Sequence, residues 1–188
     1  MRTFLGVDQS LRGTGLVVLS ETGDILLQRL VQPSSLRGVE RLAFIREALQ
    51  EALVAYKPSC AALEGYSYGS TGRVFELGEA GGVVKLTLWE AEVPFLTVTP
   101  AALKKYVANK HQADKQQMLD ATLLKWGVDF GKEDDLCDAY GLARILRGIA
   151  CNDSIVRHEL EVIRELTTPA EKKPPGSRAP RGKIKISI

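Results

Sequence analysis

The 188-residue chain has three cysteines, two histidines and two tryptophans. Cys60, Cys137 and Cys151 are odd in number and form no CxxC or Cys/His grouping, which excludes a disulfide framework and a thiolate zinc site. No apolar run approaches the ~18 residues of a bilayer span, and the opening Met1-Arg2-Thr3-Phe4-Leu5-Gly6 carries no signal-peptide core. A soluble, cytoplasmic protein with no membrane partner is expected. Charge of one sign is also missing: 25 basic side chains against 23 acidic ones leave +2. The distribution is uneven, however. Residues 169–188 hold six Lys or Arg against one Glu, and four of the eight prolines. That basic, Pro-rich segment has little to bury and is expected to be a flexible tail on a folded domain spanning 1–168. The remainder is acidic overall and, at 45% hydrophobic and 26% charged for the whole chain, has globular composition.

Short apolar runs at 3–8, 14–19 and 24–31 predict three strands in succession, antiparallel neighbours across Gly-bearing turns. Leu42, Ile45, Leu49, Leu53 and Tyr56 recur at helical spacing ahead of Pro58. A buried strand is predicted at 60–64, a helix at 73–90 with Val74, Leu77, Gly81, Val84 and Leu88 on one stripe, and a fifth strand at 93–98. Thr99-Pro100 opens a helix as cap and first residue, and Asp114 with Gln117 forms a capping box before a helix over 118–126. A further helix starts at Asp134 or Asp135 and runs to about 149, and a short one covers 153–166. The order predicts an α/β fold, a mixed five-stranded sheet flanked by helices.

Four carboxylates fall where strands end or helices begin: Asp8, Glu64, Asp135 and Asp138. Side chains beyond the carboxyl ends of neighbouring strands share a crevice, and residues three apart on a helix share a face. Each acid also has a plain structural use. Asp8 suits a turn, and Asp134, Asp135 and Asp138 suit a helix N-terminus. Glu64 is harder to account for so, because it closes the apolar run Cys-Ala-Ala-Leu. Convergent acids repel unless a divalent cation holds them ionised, and an all-oxygen set favours Mg²⁺, with Mn²⁺ as substitute, over Zn²⁺. Two such ions would suit in-line phosphodiester hydrolysis.

The segments Gly6-Val7-Asp8-Gln9-Ser10-Leu11-Arg12-Gly13-Thr14-Gly15, Ala62-Leu63-Glu64, Gly78-Glu79-Ala80-Gly81-Gly82-Val83 and Asp135-Leu136-Cys137-Asp138-Ala139 together resemble the RuvC family of Holliday junction resolvases, in the RNase H-like superfamily. The likeness runs in order over about residues 3–150. It implies an RNase H-like nuclease domain and a homodimeric, Mg²⁺-dependent endonuclease that makes paired, symmetric nicks in four-way DNA junctions. Asp8, Glu64, Asp135 and Asp138 match its metal-binding acids. Gln9-Ser10 stand where bacterial members usually carry Pro-Gly, a feature closer to the phage and viral branch. Asp134 rivals Asp135, lying four residues before Asp138, but the family's Asp-x-x-Asp spacing favours Asp135.

Lys104, Lys105, Lys110, His111 and Lys115 form a basic segment of the kind that faces a phosphate backbone; Lys105 and Lys110 equally suit a solvated helix face. By resemblance, Lys104 and Lys115 contact DNA near the scissile phosphate, and Lys115 stabilises transition-state charge. The loop after Glu64 carries Tyr66, Tyr68 and Arg73. The family places a junction-wedging aromatic here, at the position of Ser67, so Tyr66 or Tyr68 must substitute. The glycines of the 73–90 helix fit either the family's dimer contact or close packing within one chain. The tail at 169–188 is expected to grip phosphates. Other functions remain open: a nuclease on forks, flaps or other branched DNA, or a noncatalytic DNA-binding protein on the same fold. An actin-like phosphotransferase, prompted by residues 8–15, needs two such domains, and the chain is too short for them.

Overall fold

The computed structural model describes residues 2–33, 35–65, 74–153 and 156–168. Five strands, β1 (Thr3–Asp8), β2 (Thr14–Ser20), β3 (Ile25–Val31), β4 (Cys60–Glu64) and β5 (Phe95–Val98), form one sheet in the order β3-β2-β1-β4-β5. The β1–β2 and β2–β3 pairs are antiparallel, and β1–β4 and β4–β5 are parallel. This is the mixed sheet the element order predicts. Among the described residues there are also six helices: α1 (Gly38–Tyr56), α2 (Val74–Glu90), α3 (Pro100–Ala108), α4 (Lys115–Trp126), α5 (Asp134–Cys151) and α6 (Arg157–Thr167). Among the described residues no helix is long and apolar enough to cross a membrane.

Both central strands are buried along their whole length because helices cover both sheet faces. Alternation divides their side chains. Phe4, Val17 and Leu19 pack into the core of α3–α6, whereas Leu5, Val7, Leu16 and Val18 pack under α1 and α2. Two glycines set how closely α5 lies on the sheet. A Cβ at Gly6 would stand 1.8 Å from the Ala139 carbonyl oxygen, and one at Gly15 would stand 2.2 Å from that of Asp135. With hydrogen there instead, the first turns of α5 rest directly on β1 and β2.

Several boundaries depart from the sequence pattern for local reasons. β5 begins at Phe95 rather than 93. The Val93 N–H bonds the Leu88 carbonyl at the end of α2, and Pro94 has no N–H for a ladder. The last helix starts at Arg157 rather than 153, because Asp153 pairs with Arg147 and Arg144. α6 is held by the buried Glu159, which ion-pairs with Lys125; the Lys125 Nζ also donates to the Tyr106 carbonyl at 2.9 Å and lies 4.5 Å from the Trp126 ring centre. On α2, Ala80, Gly81, Val84, Thr87 and Leu88 are buried, but Val74 is exposed, so the expected stripe fails in its first turn. Among the described residues a Cβ at Gly78 or Gly82 would meet nothing within 4 Å, so packing against those residues does not account for the two glycines. Phe75, Leu86 and Trp89 on the same helix are exposed.

Candidate active site

Register brings the first two acids together. Val7 of β1 lies opposite Leu63 of β4, so the next residues, Asp8 and Glu64, leave the parallel pair side by side. The close seating of α5 then lowers Asp138 onto them. Ligand oxygens of Asp8, Glu64 and Asp138 all lie within 4.8 Å of one another. Asp135 stands a turn earlier, outside this trio, and reaches the group through its charge on Asp8. It lies towards Gly13, where a Cβ would come within 2.9 Å of its Oδ2.

These carboxyls resist ionisation. Burial, then the charges of Glu64, Asp138 and Asp135, holds Asp8 well above the ordinary range. Burial raises Glu64 and Asp135 as well. Asp138 is pushed up to about 7, first by burial and then by Glu64 and Asp134, while the Lys104 ammonium acts against the rise. A group of this kind either retains protons or takes up a cation.

The donor set fits a hard divalent ion. Every converging atom is a carboxylate oxygen, and the nearby Cys137 thiol is buried against the Thr122 hydroxyl at 3.2 Å. Gln9 adds a further oxygen. Its Nε2 donates to the Glu64 carbonyl at 3.1 Å, and its buried Oε1 has no hydrogen-bond partner among the described residues. The acids open onto a cavity of about 270 Å³, whose lining includes Gln9, Glu64, Lys104, Lys115, Asp134 and Asp138. The pocket lining therefore combines the carboxylates of Glu64, Asp134 and Asp138 with the ammonium groups of Lys104 and Lys115.

Residues 4–145 match the family described as crossover junction endodeoxyribonuclease RuvC. The chain belongs to the RuvC family. The RuvC of Chloroflexus aggregans is 30% identical over 145 residues, covering 74% of this chain and 88% of that protein. The RuvC of Brevibacillus brevis is 32% identical over 147 residues, covering 74% and 87%. Among solved structures, Thermus thermophilus RuvC in complex with a Holliday junction substrate overlaps with a TM-score of 0.67 at 23% identity, covering 76% of this chain and 91% of that one. The fowlpox virus resolvase, also solved with Holliday junction DNA, overlaps with a TM-score of 0.52 at 12% identity, covering 77% and 97%. These two likenesses concern the fold. The TM-score is higher for the Thermus protein than for the viral one.

Of the RuvC residues singled out in the sequence, Asp8, Glu64 and Asp138 meet directly, and Asp135 joins them through Asp8. Asp134, its rival, lies outside the trio and ion-pairs with Lys115. Lys104 and Lys115 both line the cavity. Lys105 turns away to Glu161 and Glu165 of α6, at 3.2 and 3.4 Å, so it docks a helix rather than facing the pocket. Lys110 and His111 are exposed. Tyr66, Tyr68 and Arg73 lie outside the described residues. The sequence reading passed over Gln9 as a site residue, although it directly follows Asp8 in a strand-end loop. It also missed the Lys115–Asp134 pair, which joins two helices and has no local signature.

Proposed function

We propose that the chain is a metal-dependent endonuclease that resolves four-way DNA junctions by paired symmetric nicks, with Asp8, Glu64, Asp135 and Asp138 as its metal-binding acids. The observation that carries this reading is the meeting of Asp8, Glu64 and Asp138 at a cavity that Glu64 and Asp138 line together with Lys104 and Lys115. Mg²⁺ is the physiological ion, with Mn²⁺ as substitute and two ions per site. When bound, they activate water and offset the charge of the leaving oxygen. The protein residues have separate tasks. Asp8 and Glu64, fixed at adjacent strand ends, give the site its rigid floor. Asp138 closes it from α5, and the Gln9 Oε1 is placed to accept a hydrogen bond from a water entering the pocket. Lys104 and Lys115 draw the phosphate backbone to the acids and offset the charge gathering on the scissile phosphate.

Two copies are needed for paired nicks. The outer side of α2, with Phe75, Leu86 and Trp89 exposed beside the unfilled positions of Gly78 and Gly82, suits a helix-to-helix dimer contact. The nuclease domain is taken as residues 1–168. The basic segment 169–188 adds a nonspecific phosphate grip, and Tyr66, Tyr68 and Arg73 are the loop's contacts to branched DNA. The chain works where DNA is, in the cytoplasm.

The test compares a synthetic four-way junction, a flap and a linear duplex in Mg²⁺. Symmetric paired nicks confined to the junction are expected. Equal cleavage of the flap would instead make the protein a general branched-DNA nuclease. Binding without nicking, together with no metal uptake, would leave a noncatalytic DNA-binding protein.

A further inference from the structure

Asp134 opens α5 one residue before Asp135 and four before Asp138, where a ligand would be expected, yet its carboxylate is spent on Lys115. Lys115 is the first residue of α4, and the backbone there is fixed by the reciprocal capping box of Asp114 and Gln117. Its side chain is not fixed by packing: it is 78% exposed, on a flexible four-carbon stem. A cation at a helix N-terminus is also repelled by the helix dipole. The Asp134 carboxylate is 29% exposed and sits at the end of an ordered connection, in which the Gly131 N–H bonds Asp129 Oδ1 at 2.8 Å and the Glu133 N–H bonds the Phe130 carbonyl at 3.0 Å. A defined anion therefore meets an otherwise loose cation, and both line the cavity with Asp138 and Glu64.

We propose that Asp134 is a positioning residue, whose carboxylate holds the Lys115 ammonium at the rim of the acidic pocket so that it meets the scissile phosphate already oriented. The role in cleavage rests on the junction-nuclease reading above; the pairing does not. In cleavage Asp134 acts through Lys115 and ligates no ion.

Two arms test this on the full-length chain. In the first, lysines of the metal-free protein are acetylated with an N-hydroxysuccinimide ester and followed by mass spectrometry. Asp134→Asn should raise the rate at Lys115 several-fold and leave exposed Lys110 unchanged. An unchanged Lys115 rate overturns the proposal, whether or not the chain cuts DNA. In the second, junction nicking in Mg²⁺ is measured for Asp134→Asn, Asp134→Glu, Lys115→Ala and the Asp134→Asn/Lys115→Ala double variant. Asp134→Asn should lower kcat about tenfold to a hundredfold, the scale of a misplaced catalytic group, with KM nearly unchanged. Asp134→Glu should recover most of the loss, and the double variant should be no slower than Lys115→Ala. If Asp134→Asn slows the Lys115→Ala background as much as the parent, or weakens Mn²⁺ binding in calorimetry, Asp134 acts on its own and the proposal fails. A parent chain that nicks no branched DNA defeats the functional reading and the orienting role with it, and leaves the pairing to the acetylation arm.

Discussion

Crowding four acids without a counter-ion must weaken the fold, and Asp138→Asn should relieve it. The Asp138 carboxyl moves from an ordinary value of 3.8 to about 7 on folding. At about 1.4 kcal/mol per pKa unit this disfavours the ionised form by about 4 kcal/mol; solvent reaching its partly exposed side reduces the figure to about 2–4 kcal/mol. The direction in pH follows from proton binding. The folded state holds this proton more tightly than the unfolded one, so stability contributed at low pH is lost as pH rises from about 4 through about 7. Asparagine keeps the shape and carries no charge. In EDTA the variant should match the parent below about pH 4 and exceed it by about 2–4 kcal/mol at pH 8, roughly 4–16 °C in Tm for a domain of this size. Because Asp8 and Glu64 titrate with Asp138, the change spreads over the interval rather than falling at one pH. Saturating Mg²⁺ should reverse the order, since only the parent gains fully from binding. Urea unfolding at three pH values, with and without metal, measures this. A parent whose metal-free stability is flat from pH 5 to 7.5, or a variant no more stable at pH 8, would refute the claim that these carboxylates crowd one another.

Gly6→Ala should cost about 3 kcal/mol in urea unfolding and abolish nicking, because its Cβ lands on the Ala139 carbonyl and must lift α5, with Asp138, off the sheet. Glu159→Ala leaves the half-buried Lys125 ammonium without its anion and should cost about 3 kcal/mol, with amide exchange rising first in α6. Leu86→Glu combined with Trp89→Glu removes exposed apolar surface from α2 and should yield a folded monomer in sedimentation equilibrium that no longer makes paired nicks.

Much of the site could be read from the chain because its geometry follows from strand order. Asp8 and Glu64 end two runs whose parallel pairing the β-α-β pattern requires, and a glycine between Leu5 and Val7 in an otherwise apolar strand marks the place where a helix comes close. The choice between Asp134 and Asp135 was less accessible. Both sit in the first turn of α5, and only the position of Lys115 on another helix draws Asp134 away. Lys105 shows the same limit from the other side: its sequence neighbours suggest phosphate contact, but α6, some fifty residues later, supplies the acids that claim it. Periodicity misjudged the start of α2 because Val74 suits a buried stripe equally well whether or not the sheet extends beneath it.

The proposed cleavage requires a divalent ion bound among side chains that are distant in sequence. Anomalous diffraction from crystals grown in Mn²⁺ addresses this directly. A peak in contact with carboxylate oxygens of Asp8, Glu64 and Asp138 is predicted. A pocket with no peak at saturating Mn²⁺, its carboxyls turned apart, would contradict it.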